Sequence, residues 1–433
     1  MNIGVIGTGY VGLVAGACFA ESGNDVVCVD IDEAKIEKLR QGIIPIYEPG
    51  LPELIERNVR EERLTFTTDM EMAVRKSFII FIAVGTPTTA SGAADLTAVL
   101  SVARDIGRFM DRYKLIAMKS TVPVGTSEKV RDTVAQETTQ PFDVVSNPEF
   151  LKQGAAVEDF MKPDRIVVGA NDARAGEILR DLYAPFVRTG SPVLMMDTRT
   201  AELVKYAANS FLAARISFMN EIANVCEEVG ADVDMIRKGL ASDGRIGPAF
   251  LFAGVGFGGS CFPKDIRALA QTAREHGSSM PILEAVDAVN VNQAMRFVGR
   301  VKKHFGTGLK GSQIAVWGLA FKPRTNDMRD APAIRIINAL LEAGCTITAY
   351  DPEAMDEGRK HFGERIQYAA TSYACVEGAD ALLVITEWQV FRNPNFERMK
   401  SLMKSPVVFD GRNIFDPASM RQMGFTYSSV GRQ

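Results

Sequence analysis

The sequence predicts an α/β protein in which two doubly wound domains are joined by a long central helix and a helical dimerisation domain. Three observations carry this prediction. A strand, a glycine-rich turn and a helix follow one another at residues 2–21. A similar strand, turn and helix recur at residues 314–343. Between them, helical periodicity runs without proline or glycine from Thr200 to Val229.

Composition limits the classes of partner. The chain has 433 residues, too many for one ordinary core, so we expect two or three domains. A net charge of −4 with scattered Lys and Arg excludes a basic surface for nucleic acid, and the longest apolar runs are strand-length, which excludes a membrane span. The N-terminus passes directly into an apolar strand without a secretory signal, so we expect a cytoplasmic protein.

The cysteines argue against a disulfide framework and a metal site. They lie far apart, form no CxxC pair and have no neighbouring histidine. Cys18, Cys28, Cys226 and Cys345 fall within apolar patterns and are predicted to lie in the core.

The first strand leads into a phosphate-binding fingerprint. Residues 2–6 form the strand, and Gly7-Thr8-Gly9-Tyr10-Val11-Gly12 opens the helix. A second strand at residues 25–29 ends at Asp30. This is the spacing of a dinucleotide-binding, Rossmann-like unit, with glycines at the pyrophosphate and an acid at the ribose. Asp30 would repel a 2′-phosphate and no arginine follows it, so NAD is favoured over NADP.

Polar turns follow the next buried strands. Residues 78–84 lead into Gly85-Thr86-Pro87-Thr88, and residues 115–119 lead into Ser120-Thr121. Ligands bind at the carboxyl ends of strands in such sheets, so both turns should border the cofactor, although Ser120 and Thr121 could instead cap a helix. A strand at residues 164–169 is predicted to close the first domain.

The long helix combines an apolar surface with two polar residues. Apolar positions cover most of its circumference, which predicts burial by other elements or by a second subunit, as the core of a dimer. These positions are Val204, Ala207, Ala208, Phe211, Leu212, Met219, Ile222 and Val225. Lys205 and Asn209 are four residues apart and therefore share a face.

Residues 254–265 are predicted to hold the reaction centre. Four glycines in six positions let the backbone approach a ligand closely, and Pro263 marks the start of a helix that we predict to continue as a helical stretch from Ile266 to about Phe305. Cys261 lies at that helix start beside Lys264, and both features favour a thiolate. A reactive nucleophile is therefore preferred over an inert buried thiol.

The string Phe257-Gly258-Gly259-Ser260-Cys261-Phe262-Pro263-Lys264-Asp265 resembles the active-site signature of the UDP-glucose 6-dehydrogenases, in the UDP-glucose/GDP-mannose dehydrogenase family. The resemblance implies a four-electron, NAD-dependent oxidation of the C6 alcohol of UDP-glucose through a cysteine thioester. It implies six catalytic residues: Cys261, Lys205, Asn209, Asp265, Glu149 and Thr121.

The resemblance also implies individual roles. Cys261 attacks the aldehyde, and Lys205 and Asn209 stabilise the oxyanion. Water held between Lys205 and Asp265 assists the first proton removal, and Glu149 activates the water that hydrolyses the thioester. Thr121 lies near the nicotinamide.

The binding residues follow from the same resemblance. The cofactor contacts are Gly7, Gly9, Tyr10, Val11, Gly12, Asp30, Lys35, Thr86, Thr121 and Lys264. The substrate contacts are Glu149, Phe150, Leu151, Lys205, Asn209, Arg245, Phe250, Gly258, Lys322 and Arg412. Arg245 would contact the substrate of a neighbouring subunit, so we expect a homodimer or a higher homo-oligomer. Lys322 and Arg412 would meet the diphosphate and the sugar.

Three domains are expected from these patterns. Residues 1–196 would bind NAD, residues 197–305 would form the helical dimerisation domain with the cysteine loop, and residues 309–433 would bind the UDP moiety. The third domain repeats the βαβ pattern of the first without its glycine fingerprint.

Two departures and two alternatives remain at the sequence level. Gln153 stands where many family members have glutamate, and Phe252 where some have lysine. The segment at residues 43–51 matches the family but on its own indicates only a proline-stiffened connection.

The protein could instead be a sister enzyme acting on GDP-mannose or a UDP-amino sugar, or a non-catalytic NAD-binding sensor.

Overall fold

The N-terminal strand lies in the middle of a mostly parallel sheet. Within residues 1–89, 92–188 and 190–432, which the computed structural model describes, this sheet has eight strands. They are β1 (Asn2–Ile6), β2 (Asp25–Val29), β3 (Leu64–Thr67), β4 (Ile79–Ile82), β5 (Lys114–Met118), β6 (Phe142–Ser146), β7 (Ile166–Gly169) and β8 (Val193–Met196). Their order is β3-β2-β1-β4-β5-β6-β7-β8, and the pairing of β6 with β7 is antiparallel. The first six strands have the Rossmann order.

Helices cover both faces of this sheet. They are α1 (Tyr10–Glu21), α2 (Glu33–Arg40), α3 (Leu51–Arg60), α4 (Met70–Lys76), α5 (Thr97–Phe109), α6 (Thr126–Glu137), α7 (Ala156–Met161) and α8 (Ala173–Tyr183). Side chains of the central strands alternate between two apolar cores. Ile79 and Phe81 join the core with α1, whereas Ile80 and Ile82 join the core with α5. Burial on both faces explains why these strands read as continuous apolar runs.

A second, all-parallel sheet repeats the same order. Among the described residues it has six strands, in the order β11-β10-β9-β12-β13-β14. They are β9 (Gln313–Trp317), β10 (Thr346–Tyr350), β11 (Gln367–Tyr368), β12 (Ala381–Val384), β13 (Val407–Asp410) and β14 (Thr426–Ser429). The helices that follow the first sheet are α9 (Thr198–Val229), α10 (Val233–Ala241), α11 (Phe262–Glu275), α12 (Pro281–Phe305), α13 (Pro332–Glu342), α14 (Met355–Phe362), α15 (Ser372–Val376), α16 (Phe396–Leu402) and α17 (Pro417–Gln422). The predicted fold class of two Rossmann-like domains joined by a long helix is confirmed.

The chain forms two compact structural units. The first unit comprises Met1–Ala208 and Gln271–Ser278. The second unit comprises Asn209–Ala270 and the chain from Ser279 onward. The division into three domains with a separate central domain stays a prediction.

Two element predictions are corrected. The helical stretch expected from Ile266 to Phe305 is two helices, because Gly277 with φ +75° ends α11 and Pro281 starts α12. The strand expected at residues 164–169 to close the first domain begins at Ile166 and is not the last strand of that domain's sheet, because β8 follows it and pairs with it in parallel. β8 was missed because its apolar run is only four residues long.

The long helix α9 has 32 residues and spans about 48 Å at 1.5 Å per residue. Several of its apolar side chains are exposed in the single chain, including Phe211, Phe218 and Val225. These three are spaced by seven residues and therefore lie along one side of the helix. No helix in the described part of the chain is both long and apolar enough to cross a bilayer.

Candidate active site

The glycine-rich turn after β1 has the geometry of a phosphate-binding turn. Gly7 has φ +104°, and a Cβ on Gly12 would lie 1.9 Å from the carbonyl oxygen of Gly7. A Cβ on Gly9 would meet no described atom within 4 Å, so open space faces the helix start. Tyr10 and Val11 begin α1, which has no side-chain cap, so its first N–H groups can bind an anion.

The carboxylate of Asp30 lies directly after β2. It accepts hydrogen bonds from the backbone N–H of Thr8 at 2.9 Å and from the ammonium group of Lys35 at 2.7 Å. Partial burial opposes ionisation, but the hydrogen bonds from Lys35 and Thr8 outweigh it and lower the pKa of Asp30 to about 2. Asp30 is therefore charged at neutral pH, which suits a ribose hydroxyl and disfavours a 2′-phosphate. The turn and this acid together fit NAD.

Thr86 and Thr121 follow neighbouring strands of the first sheet. The hydroxyl of Thr86 donates to the carbonyl oxygen of Thr121 at 2.9 Å. The hydroxyl of Ser120 donates to the carbonyl oxygen of Val84 at 2.7 Å. Because α6 begins only at Thr126, helix capping does not account for Ser120 and Thr121. Both predicted turns thus lie at the carboxyl end of β4 and β5.

Glu149 and Lys205 form a buried ion pair in the first unit. Their Oε1 and Nζ atoms are 3.1 Å apart, and the side chains are only 5% and 4% exposed. The other carboxylate oxygen of Glu149 accepts the backbone N–H of Leu151 at 2.5 Å. The ring of Phe150 lies 5.3 Å from the Lys205 ammonium. Four residues predicted from the resemblance are therefore brought together, and Gln153 lies half-buried farther along the same loop.

A second buried lysine, which sequence reasoning missed, lies near this pair. The Lys119 ammonium donates to the side-chain oxygens of Asn147 and Tyr183, each at 3.1 Å. Burial lowers the pKa of Lys119 to about 7, the charge of Glu149 opposes the shift and that of Lys205 adds to it. Lys119 and Glu149 line the same cavity. The available signal was a lysine just after an apolar strand.

Cys261 lies directly before α11, as predicted. Its carbonyl oxygen accepts the backbone N–H of Asp265 at 2.8 Å, which closes the first turn of the helix. Five of the six cysteines are buried, and Cys261 is the partly exposed one. Its sulfur lies 3.6 Å from the hydroxyl oxygen of Ser260. A reachable thiol at a helix N-terminus is in the setting that activates a cysteine nucleophile.

Asp265 is a buried carboxylate held by two donors of the second unit. Its exposure is 1%. It accepts from the side-chain amide of Asn209 at 2.6 Å and from the ammonium group of Lys264 at 2.7 Å. Three residues predicted from the resemblance therefore form one hydrogen-bonded cluster beside the start of α11, next in sequence to the thiol.

Arg329 is a further residue that the sequence did not reveal. Its carbonyl oxygen accepts the backbone N–H of Gly259 at 2.8 Å. Desolvation lowers the pKa of Arg329, but its ion pair with Asp327 and the charge of Cys261 raise it overall. The Arg329 guanidinium therefore interacts electrostatically with the Cys261 side chain. Arg329 is 68 residues from Cys261 in the sequence, so no local sequence pattern could indicate that the two interact.

The glycines of the cysteine loop serve packing against the protein itself. A Cβ on Gly258 would lie 2.5 Å from the carbonyl oxygen of Asp330, and one on Gly254 would lie 2.8 Å from that of Gly411. A Cβ on Gly256 would lie 2.7 Å from the side-chain oxygen of Asn290, and one on Gly259 would lie 2.9 Å from the ring of Phe321. The prediction that these glycines make room for a ligand is therefore corrected: neighbouring chain segments occupy that room.

Aromatic residues surround the helix start. The ring of Phe262 packs 5.7 Å from Phe257 and 6.0 Å from Phe250. Phe250 has φ +60°, a strained conformation for a residue with a side chain. Such strain persists only where the surroundings impose it, so this part of the loop is tightly determined.

Arg412 and Lys322 lie in turns of the second sheet. The Arg412 guanidinium donates to the carbonyl oxygens of Ile385 at 2.7 Å and of Gly256 at 3.0 Å. It thereby ties the cysteine loop to the sheet. The Lys322 ammonium lies 5.5 Å from the ring of Phe321.

Arg245 and Phe252 lie at the surface of the single chain. The Arg245 side chain is 91% exposed and pairs with Asp243 at 2.7 Å. Phe252 is 63% exposed, and the guanidinium carbon of Arg237 lies 4.5 Å from its ring. An arginine thus stacks on the position where some family members have lysine.

Family models match nearly the whole chain. Residues 1–187 match the NAD binding domain of the UDP-glucose/GDP-mannose dehydrogenase family. Residues 199–292 match the central domain of that family, and residues 315–417 match its UDP binding domain.

Full-length relatives and solved structures agree with these models. UDP-glucose 6-dehydrogenase TuaD of Bacillus subtilis (strain 168) is 50% identical, covering 100% of this chain and 93% of the relative. UDP-glucose 6-dehydrogenase of Rhizobium meliloti (strain 1021) is 49% identical, covering 100% of both. A UDP-glucose dehydrogenase structure from Pyrobaculum islandicum aligns with TM-score 0.93 at 39% identity, covering 100% of this chain and 98% of that one. From its sequence, its two sheets and its cysteine loop, the chain belongs to the UDP-glucose/GDP-mannose dehydrogenase family.

Proposed function

We propose that this chain catalyses the NAD-dependent oxidation of UDP-glucose at C6, a four-electron reaction that yields UDP-glucuronate. The observation that carries the proposal is Cys261, a partly exposed thiol at the start of α11 in a chain that matches all three domains of the family. Two relatives at 50% and 49% identity are named UDP-glucose 6-dehydrogenase.

The first sheet supplies the cofactor site. When bound there, NAD would supply the hydride acceptor for both oxidations. The turn at residues 7–12 would hold its diphosphate and Asp30 its ribose, because the first offers N–H groups and the second a charged acceptor. Lys35, Thr86 and Lys264 are proposed as further contacts, and Thr121 as a neighbour of the nicotinamide.

Cys261 carries the covalent chemistry in this proposal. The C6 alcohol loses a proton and a hydride to become an aldehyde, with proton removal assisted by water that Lys205 and Asp265 hold. The thiolate then adds to the aldehyde carbon, forming a thiohemiacetal with a new C–S bond. Loss of the second hydride and of a proton leaves the thioester. Lys205 and Asn209 stabilise the negative oxygen that develops during these steps.

Glu149 acts in the last step. Its carboxylate is held by Lys205 on one oxygen and by the N–H of Leu151 on the other, which fixes its orientation. It takes a proton from water as the water oxygen bonds to the thioester carbon. The C–S bond then breaks, and the thiolate of Cys261 is regenerated.

The second sheet supplies the substrate side. Lys322 and Arg412 are proposed to meet the diphosphate and sugar, with Phe250 and Gly258 beside the reacting residue. Arg245 is proposed to reach the substrate of a neighbouring subunit, which its 91% exposure in the single chain permits.

A stoichiometry measurement tests the proposal. Supplying NAD with UDP-glucose should yield two NADH per sugar oxidised, and turnover should exceed that with GDP-mannose or a UDP-amino sugar. One NADH per sugar would indicate a simple alcohol dehydrogenase, and none would indicate a non-catalytic sensor. Cys261→Ser should lower uronate formation by on the order of a thousandfold or more, because serine cannot form the thioester. Uronate formation by this variant at the wild-type rate would exclude covalent catalysis.

The assembly and domain assignments are part of the same proposal. We propose a homodimer or higher homo-oligomer, supported by the exposed apolar side chains along α9. The three domains are proposed at residues 1–196, 197–305 and 309–433. A cytoplasmic location is part of the proposal and is supported by the cysteines. Within the described residues they form no disulfide, and an oxidising compartment would not favour free thiols.

A further inference from the structure

A buried glutamate lies in a connection that the sequence left without a function. Residues 41–50 join α2 to α3 without a helix or strand of their own. Within this connection Glu48 is only 2% exposed. A buried carboxylate must be matched by donors, so its partners show what it holds in place.

The partners of Glu48 come from two distant parts of the first unit. One carboxylate oxygen accepts the backbone N–H of Ala156 at 2.7 Å, and the other accepts that of Gly154 at 2.6 Å. The hydroxyl of Tyr10 donates to the second oxygen and also lies 3.0 Å from the N–H of Gly154. Tyr10 is the first residue of α1, directly after the glycine turn.

The two amides mark the far end of the loop that carries Glu149. This loop runs from the end of β6 at Ser146 to the start of α7. Its near end is held by Asn147, a fully buried residue whose side-chain amide donates to the carbonyl oxygen of Val167 at 2.9 Å. Glu149 therefore lies between two anchors, one at Asn147 and one at Glu48.

We propose that Glu48 is a positioning residue that, together with Tyr10, fastens the Glu149 loop to the start of α1 and so keeps the Glu149 carboxylate aligned for thioester hydrolysis. This inference rests on the proposed function. Its physical basis is that two backbone N–H groups and one hydroxyl converge on a single charged acceptor, and such bonds are stronger than those between neutral groups.

Glu48→Gln tests the inference with little change in volume. An amide offers one acceptor oxygen, so its NH₂ group must face one of the two N–H groups, and the loop end is released. Displacements of about 1 Å can cost on the order of a hundredfold in rate, so we expect kcat to fall by about tenfold to a hundredfold. Because hydrolysis slows while thioester formation continues, the substrate acyl group should accumulate on Cys261 and be visible by intact-mass spectrometry after mixing with UDP-glucose and NAD.

Two further variants complete the experiment. Tyr10→Phe keeps the Glu48 carboxylate and its bonds to the N–H groups of Gly154 and Ala156, so it should show the same adduct at a lower level. This variant replaces Glu48→Gln in the test if Glu48→Gln folds poorly. Glu53→Gln removes an exposed glutamate of α3 and should leave turnover and the adduct level unchanged.

The outcomes separate this inference from the proposed function. If wild-type protein fails to give two NADH per UDP-glucose, the proposed function fails. The anchor is then judged by amide hydrogen exchange in the ligand-free protein, which should be faster at Gly154 and Ala156 in Glu48→Gln. Unchanged exchange there, or lower turnover without the adduct, would overturn the positioning role.

Discussion

At the scale of the residue, the buried ammonium of Lys119 makes stability depend on pH. Burial lowers its pKa from 10.5 to about 7, so the folded protein prefers the neutral amine. Between these two values the unfolded chain binds more protons than the folded one, and stability therefore rises with pH. Keeping Lys119 buried therefore costs folding stability. This loss is fully present below pH 7, where it amounts to about 5 kcal/mol, and it disappears above pH 10.5.

Replacing Lys119 with methionine should remove this dependence. We compare the unfolding free energy of Lys119→Met with that of the wild type at pH 7 and at pH 9.5. The advantage of Lys119→Met over the wild type should be about 3 kcal/mol smaller at pH 9.5 than at pH 7. Urea unfolding followed by circular dichroism at both pH values measures this. Lys129→Met, at an exposed position of α6, is the matched control and should show no such change. A difference for Lys119→Met that is the same at both pH values would mean that the lysine stays charged in the fold.

At the scale of the element, the two glycine-rich segments show what a sequence can predict. The turn at residues 7–12 is local, since its strand, turn and helix are contiguous, and its structure matches the prediction. The loop at residues 254–261 packs against segments far away in the chain, such as Asp330 and Gly411. Sequence periodicity carries no information on such contacts, so Arg329, Lys119 and the anchoring role of Glu48 were not predicted.

Two alanine substitutions in the first turn should separate packing from ligand binding. A Cβ on Gly12 would lie 1.9 Å from the backbone of Gly7, whereas one on Gly9 would meet no described atom within 4 Å. Gly12→Ala should therefore lower the midpoint of thermal unfolding, by several degrees for a cost of about 1–3 kcal/mol. Gly9→Ala should keep the wild-type midpoint but weaken NAD binding at least about tenfold, because its methyl group occupies the space left for the diphosphate.

For each variant, titration calorimetry measures the affinity for NAD, and a thermal scan measures the midpoint of unfolding. Equal unfolding midpoints for Gly12→Ala and wild type would contradict the packing explanation. Unchanged NAD affinity in Gly9→Ala would show that the diphosphate does not approach this turn.

At the scale of the whole molecule, the two sheets share one strand order, but the acid that follows the second strand has a different environment in each. Asp351 follows β10 as Asp30 follows β2, but it is only 1% exposed. Its carboxylate accepts the backbone N–H groups of Leu319 at 2.7 Å and Ala320 at 3.0 Å and the indole N–H of Trp388 at 3.1 Å. The second acid is therefore fully engaged by the turn after β9 and by Trp388, with little surface left for a ligand.

Assembly is the remaining property at this scale, and α9 makes it testable. Phe211, Phe218 and Val225 are 66%, 53% and 56% exposed along one side of the helix, and water is an unfavourable environment for such a row. In a two-fold dimer each side chain is buried twice, once per copy. Phe218→Asp loses apolar burial and introduces a carboxylate in both copies, a combined cost on the order of 5 kcal/mol, or a few thousandfold in Kd.

We therefore expect Phe218→Asp to sediment as a monomer at concentrations where the wild-type protein is a dimer or larger. Turnover should fall with dissociation, because Arg245 is proposed to contact the substrate of the neighbouring subunit. Val390→Asp, which changes a comparably exposed valine outside α9, is the control and should keep the wild-type mass. A wild-type monomer, or a Phe218→Asp protein of unchanged mass, would refute assembly through α9 and would leave the exposed row on this helix to another partner.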